Sequence, residues 1–222
     1  MRDPRLVLAS RSPRRRKLLR LLRLPFDTMV AKVDETPRPD EAPEELVVRL
    51  SRAKAHSREL DGARGTIVIA CDTVVALAGG VDQASILGKP RNPREAKHML
   101  RRLRGCRHTV YSAVTLLDSG GHTSTEVAKT VLRMRDYSET ELAAYVASGD
   151  PLDKAGAYAI QHQGFDPVRE LEGCYASVMG LPLCHVARSL RRRGIPSPVD
   201  VPAACQGHTG HPCTAYQGII GS

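Results

Sequence analysis

The sequence predicts an α/β protein built on a mixed, twisted sheet with flanking helices. Two apolar runs, Leu6–Ala9 and Thr66–Leu77, lack strict polar alternation and therefore indicate strands that are buried on both faces. Segments with helical periodicity alternate with these strands along the chain. His108–Leu117 and Thr125–Met134 flank Ser119-Gly120-Gly121, which predicts a hairpin and adds antiparallel pairing to the sheet.

Composition limits the size, the core and the partners. The 222 residues, 41% of them hydrophobic, suffice for one large domain or for two lobes with a shared core. Aromatic residues make up 4% of the chain and tryptophan is absent, so the core must be aliphatic. The net charge of +9 favours anionic partners such as nucleotides, nucleic acid or acidic membrane surfaces. No secretory signal or run of ~18–20 apolar residues is recognisable, so we expect a cytoplasmic protein with reduced cysteines.

The stretch after the first strand has the features of an anion site. Ser12 is a favourable N-cap and Pro13 suits the first helical position, so a helix is predicted from here to about Leu22–Leu24. The four cations Arg14 to Lys17 lie at the positive end of the helix dipole, where each is disfavoured by roughly 0.3–1 kcal/mol. A bound anion would make the position of these cations favourable instead, because helix N-termini bind phosphate. A solvated basic face on an ordinary amphipathic helix is the alternative.

The next segments predict a short strand at Phe26–Val30, a loop at Val33–Pro39 and a helix from Pro43 to about Leu60. Glu35 lies in the loop, where a solvated turn is the simpler explanation of an acidic residue. In the helix, Lys54 borders the apolar stripe. Its side chain either follows the stripe and keeps its ammonium in water, or points a cation into a cleft.

Asp72 lies in the middle of the second buried strand, which is predicted to end at Gly79-Gly80. An unpaired buried carboxylate is very costly, so Asp72 must be paired, metal-bound or protonated. Aspartate is also depleted in strands, and such a departure from local preference points to a functional site. The alternative is a bulge or strand end at which Asp72 caps a turn.

The second half of the chain continues the alternation of strands and helices. Ile86–Pro90 predicts a loop or short strand. Capping signals at Asn92 and Ser138 begin helices that are predicted to end near Gly105 and Gly149.

The segment 150–161 mixes polar, glycine and apolar residues, which favours a functional loop leading into a strand. Gly173–Val178 is predicted to be the final strand, and the last helix is predicted to start in Gly180-Leu181-Pro182-Leu183 and to end at Gly194. Residues 1–196 then form the domain, and residues 197–222 form a flexible tail. The tail contains Cys and His residues whose spacing differs from a standard zinc finger, and we expect no metal site there: Cys205, His208, His211 and Cys213.

Eight short motifs between Leu6 and Arg193 resemble those of the Maf family of nucleotide pyrophosphatases. They are Ser10-Arg11-Ser12-Pro13-Arg14-Arg15, Val33-Asp34-Glu35, Arg52-Ala53-Lys54-Ala55, Cys71-Asp72-Thr73-Val74-Val75, Gly88-Lys89-Pro90, His108-Thr109-Val110-Tyr111, Asp153-Lys154-Ala155-Gly156-Ala157-Tyr158-Ala159-Ile160-Gln161 and Gly180-Leu181-Pro182-Leu183. Each motif is weak alone, whereas their occurrence together in this order is specific.

The resemblance implies two lobes around an elongated cleft, as in inosine triphosphatase-like folds, and a homodimer. It also implies that a nucleoside triphosphate is hydrolysed to the monophosphate and pyrophosphate with Mg²⁺ or Mn²⁺, while neither a membrane nor nucleic acid is an expected partner. By similarity to the family, Asp72 is the catalytic proton acceptor, and Asp72 and Glu35 are the acidic cleft residues that could bind the metal. The phosphate-site residues of the family correspond to Ser10, Arg14, Lys54 and Lys89, and both lysines are assigned to catalysis.

The resemblance also bears on the choice of base. The subgroup acting on dTTP and UTP carries an Arg, Thr and Gln set that corresponds to Arg15, Thr73 and Gln161. Two alternatives are a 7-methyl-GTP pyrophosphatase and a non-catalytic protein of septum inhibition that contacts DNA. Cys71 replaces a small residue usual in the family, and His162-Gln163 follows Gln161 where a simple glycine turn is usual.

Overall fold

The structure is a computed structural model that describes residues 4–57, 65–77 and 85–220. Its strands are β1 Arg5–Ala9, β2 Phe26–Met29, β3 Thr66–Leu77, β4 Ser85–Leu87, β5 Arg107–Asp118, β6 Thr123–Met134 and β7 Val168–Glu172. Within the described residues, these seven strands form one sheet in the order β2-β1-β3-β5-β6-β7, with β4 also paired to β3. β1 is parallel to β2 and β3, and the remaining pairs are antiparallel. The predicted mixed sheet is thus confirmed.

One part of β3 is paired on a single side. β1 accompanies β3 only along Thr66–Ile69, and β4 accompanies it only along Val75–Leu77. In the described parts of the chain, the intervening residues 70–74 therefore pair with β5 alone. This leaves a gap in the sheet edge just beyond the carboxyl end of β1.

The helices are α1 Pro13–Arg20, α2 Pro43–Ala55, α3 Pro93–Leu103, α4 Glu139–Ala147, α5 Tyr175–Met179, α6 Leu183–Arg191, α7 Val201–Thr209 and α8 Gln217–Ile220. The predicted caps are present: the side chains of Ser12, Asn92 and Ser138 each accept a backbone N–H at the third helical position. Among the described helices, none has both the length and the apolar character needed to cross a membrane.

The sheet has helices on both faces. The main core contains the inward side chains of α1, α3, α4 and α6, represented by Leu18, Leu100, Leu142 and Leu183. On the other face, Leu46, Val47 and Leu50 of α2 pack against Val74 of β3 and Ala113 of β5. Because side chains alternate along a strand, successive residues of β3 belong to different faces.

Two sequence predictions differ from the structure in this part of the fold. Gly173–Val178 is not a strand: the last strand, β7, ends at Glu172, and the helix α5 follows. Gly173 has a φ of +130°, which turns the chain between these two elements. α2 ends at Ala55, before the predicted end, and both Leu60 and Gly79-Gly80 lie outside the described residues.

The prediction of a flexible tail after Pro196 is also wrong for residues 197–220. Val201 is 5% exposed, and Cys205, Tyr216 and Ile219 pack against the main core. Asp200 caps α7 by accepting the backbone N–H of Ala203. The apolar side chains that dock this segment are few and separated by Pro, Gly and polar residues, so their pattern has no helical period that sequence reading can detect.

Candidate functional site

The two central residues of the predicted site lie in the gap at the edge of β3. Asp72 and Thr73 are register partners of Ala113 and Ser112 on β5. Since they are adjacent in one strand, their side chains project to opposite faces of the sheet. Asp72 faces α2, and Thr73 faces the N-terminal turn of α1, as their contacts with Lys54 and Arg15 show. The gap therefore joins two groups of side chains around a single strand edge.

On the α2 face, acidic and basic side chains form one cluster. The Lys54 ammonium contacts Asp72 and also Glu35, whose carboxylate lies 2.6 Å from it. Lys89 lies 3.6 Å from the other oxygen of Glu35. The Lys54 and Asp72 side chains are 9% and 10% exposed, whereas those of Glu35 and Lys89 are 46% and 59% exposed. The cluster thus extends from a buried pair to the surface.

The pKa of Glu35 reflects the balance of charges in this cluster. Burial raises the pKa of its carboxyl, but the hydrogen bond and charge of Lys54 together with the charge of Lys89 outweigh that effect. The pKa of Glu35 therefore lies below the usual glutamate value, and the side chain is ionised near neutral pH.

Two expectations about these residues need correction. Lys54 does not keep its ammonium in water, because the ammonium is buried against Asp72. The solvated-turn explanation of Glu35 also fails, since this residue pairs with two lysines from other parts of the chain.

The anion-site residues lie at the start of α1, next to the end of β1. Ser10 is buried, and its Oγ accepts the backbone N–H of Ser12 at 3.1 Å. Arg14 Nη1 contacts Asp153 at 3.2 Å. Asp153 in turn lies 2.6 Å from the buried ammonium of Lys154, so the 150–161 segment orients Arg14. Sequence reasoning selected this segment as functional but missed Asp153 and Lys154 as individual positioning residues.

On the other face, Arg15 links the gap to the end of α5. Its Nε donates to the carbonyl oxygen of Gly180 at 2.8 Å, and its Nη2 donates to Thr73 Oγ1 at 3.3 Å. Gly180 has a φ of +115°, and a Cβ there would lie 3.3 Å from Arg15 Nε, so both backbone and space favour glycine. Cys71 also donates to this carbonyl, at 3.0 Å, and burial raises the pKa of its thiol to about 11.

The structure joins six of the nine predicted site residues by direct contacts. Arg15 and Thr73 are hydrogen-bonded, and Asp72, Glu35, Lys54 and Lys89 are linked by ion pairs. Gln161 lies in a turn and is half-buried. Within the described chain, no hydrogen bond joins it to Arg15 or Thr73.

Known proteins give the family of this chain. The model of the Maf-like protein family matches residues 5–193. A dTTP/UTP pyrophosphatase from Myxococcus xanthus is 47% identical over 87% of this chain and 94% of its own length. Proteins of the same name from Syntrophus aciditrophicus and Methylococcus capsulatus are 43% and 44% identical, each over 87% of this chain and 92% and 93% of their own lengths. The resemblance seen in the motifs is therefore confirmed, and this chain belongs to the Maf family.

Proposed function

We propose that this protein hydrolyses nucleoside triphosphates to the monophosphate and pyrophosphate, with dTTP and UTP as preferred substrates. The proposal rests on the edge of β3, where a buried carboxylate lies close to cationic side chains. This edge lies directly beyond the turn at Ser10, which has the features of an anion-binding site. The names of the three relatives support the same reaction and the same nucleotides.

In the proposed reaction, a water oxygen bonds to the α-phosphorus while the bond from that phosphorus to the oxygen bridging to the β-phosphorus breaks. Asp72 accepts the proton of the attacking water. Lys54 keeps the Asp72 carboxylate oriented within hydrogen-bond reach of its ammonium. The released pyrophosphate takes the electron pair of the broken bond, so negative charge grows on the leaving side.

The cations around the gap are suited to that leaving charge. Lys89 and Arg14 belong to different segments and have side chains that are 59% and 25% exposed, so both can reach a triphosphate. The Ser10 and Ser12 region adds hydroxyl and backbone groups at the start of α1. Charge-assisted hydrogen bonds of this kind are stronger than neutral ones.

The donor set at the gap fits a hard divalent cation carried with the substrate. Mg²⁺ is usually held by one or two carboxylates plus phosphate oxygens and water. Asp72 and Glu35 provide two carboxylates that already share one positive group, the Lys54 ammonium. In the described residues, no three His, Cys, Asp or Glu side chains form a metal site by themselves. A bound Mg²⁺ or Mn²⁺ would neutralise charge on the phosphate oxygens.

The test is pyrophosphate release from a panel of dTTP, UTP, CTP, ATP, GTP and 7-methyl-GTP, with Mg²⁺, with Mn²⁺ and with chelator. We expect the highest kcat/KM for dTTP and UTP and a loss of activity with chelator. A higher kcat/KM for 7-methyl-GTP would assign the chain to the other substrate class. Complete inactivity on the panel would favour a binding role instead.

Base selection assigned to Gln161 is tested in the same assay. A Gln161→Ala variant should lose preference for dTTP and UTP, because the amide supplies both a donor and an acceptor for an imide edge. The rate of pyrophosphate release in this variant should fall by a smaller factor than its preference for dTTP and UTP.

The homodimer and the cytoplasmic location remain predictions, and light scattering of the purified protein tests the first of them.

A further inference from the structure

A row of hydroxyl groups leads from Thr73 into the interior. Thr73 and Ser112 are register partners on β3 and β5, and their Oγ atoms lie 2.8 Å apart. Ser112 is fully buried, and its hydroxyl donates to the carbonyl oxygen of Ser177 at 2.7 Å. The Ser177 hydroxyl in turn donates to the Cys174 carbonyl at 2.7 Å. Each buried hydroxyl in the row therefore has a defined acceptor.

This arrangement fixes the direction of the bond between Thr73 and Ser112. A hydroxyl carries one proton and two lone pairs, and a carbonyl oxygen can only accept. Because Ser112 gives its proton to the Ser177 carbonyl, it has only lone pairs to offer Thr73. Thr73 must therefore donate its own proton to Ser112.

With its proton committed, Thr73 Oγ1 is an acceptor toward every other group. Arg15 Nη2 already donates to it at 3.3 Å, and one lone pair remains. The contacts of Arg15 with Thr73 and Gly180 use two of the five guanidinium N–H donors. This side of the gap consequently offers one hydroxyl acceptor beside several N–H donors.

We propose that Ser112 is a positioning residue for base selection, acting through the hydroxyl direction of Thr73. This inference rests on the proposed function and specifies how the site chooses among pyrimidines. Uracil and thymine present an N3–H donor between two carbonyl acceptors, which matches an acceptor beside N–H donors. Cytosine presents an N3 acceptor beside an amino donor, so both contacts would be mispaired. A site that leaves buried polar groups unpaired rejects the wrong base strongly.

The test compares kcat/KM for UTP and CTP in Ser112→Ala and Thr73→Val. When Ser112 Oγ is removed, the Thr73 hydroxyl no longer donates to it and can donate a hydrogen bond to the cytosine N3 instead. The UTP to CTP ratio should fall at least about tenfold in each variant, and the double variant should show no further fall. The ratio is taken on one preparation, so it does not depend on the folded fraction. Ser112→Cys keeps the size and a weaker donor and should give an intermediate ratio.

Thr115→Val is the matched control. Thr115 is fully buried on the same strand, and its hydroxyl bonds to Ser51 of α2 at 2.8 Å, away from Thr73. This variant removes a buried hydroxyl without touching the row and should keep the wild-type ratio. An unchanged ratio in Ser112→Ala and Ser112→Cys, with a reduced ratio in Thr73→Val, would overturn the role of Ser112. A wild-type protein that hydrolyses neither UTP nor dTTP would instead overturn the proposed function.

Discussion

Replacing Lys54 with methionine removes one ammonium and keeps most of the side-chain volume. In the folded protein this ammonium contacts Asp72 and Glu35, and the Lys54 and Asp72 side chains are only 9% and 10% exposed. Removing one partner of a buried pair typically costs 3–5 kcal/mol, because the other charge remains in a low-dielectric environment. The Glu35 side chain is 46% exposed and is hydrated once the ammonium is removed. Its contribution to the loss of unfolding free energy is therefore small. We therefore expect Lys54→Met to lose about 3 kcal/mol of unfolding free energy at pH 7.

The same cluster gives the pH dependence of this loss. Lys54 holds the pKa of Glu35 below its usual value, so that contribution to stability is present above about pH 4.3. It is lost as the pH falls through the lowered pKa of Glu35. Because the variant lacks this contribution at every pH, its deficit relative to the wild type should stay constant between pH 7 and about pH 4.3 and shrink below that pH.

Urea unfolding followed by circular dichroism measures both effects, since the chain has no tryptophan for fluorescence. For a chain of this size, the deficit corresponds to a fall in Tm of roughly 6–12 °C. Lys17→Met, at an exposed lysine of α1, is the control and should change stability by less than about 0.5 kcal/mol. A Lys54→Met variant within about 1 kcal/mol of the wild type at pH 7 would refute the stabilising role of the buried pair.

Three further predictions address catalysis, the C-terminal segment and acid stability. Asp72→Asn should lower kcat for pyrophosphate release at least about 100-fold, because it removes the proposed proton acceptor, and near-normal kcat would exclude that role. Deleting the residues after Pro196 should lower the Tm by several degrees, because it uncovers side chains that α7 and α8 bury, and an unchanged Tm would show that their docking adds no stability. Burial lowers the pKa of His108 to about 4, so between pH 6.5 and 4 the unfolded chain binds a proton that the folded chain does not. The wild type should lose up to about 3 kcal/mol over this range, and His108→Gln should lose less in acid unfolding curves.

The sequence predicted those parts of the site that follow from local rules. Ser12 caps α1 as expected, because capping depends on residues within one turn. Asp72 was identified from its unusual place in an apolar strand, and the structure gives it a buried cationic partner. These features depend on residues close in sequence or on a general cost of burying charge.

The rest of the site depends on which segments meet in three dimensions. Nothing local to Lys54 decides between a solvated ammonium and a buried one, since Glu35 and Asp72 come from other elements. Likewise, the bond between Arg15 and Thr73 requires α1 to lie beside the gap in β3. α5 has five residues, too few for a helical period to distinguish it from a strand.

The docking of α7 and α8 links folding to the order of synthesis. Arg188 of α6 donates to the carbonyl oxygen of Ile219 at 2.9 Å, and His211 stacks on Tyr175 with ring centroids 5.1 Å apart. The covering residues are made after the domain that they cover. A nascent or prematurely ended chain that contains the whole predicted site therefore still exposes apolar surface on α5 and α6, where chaperones or proteases recognise incomplete proteins.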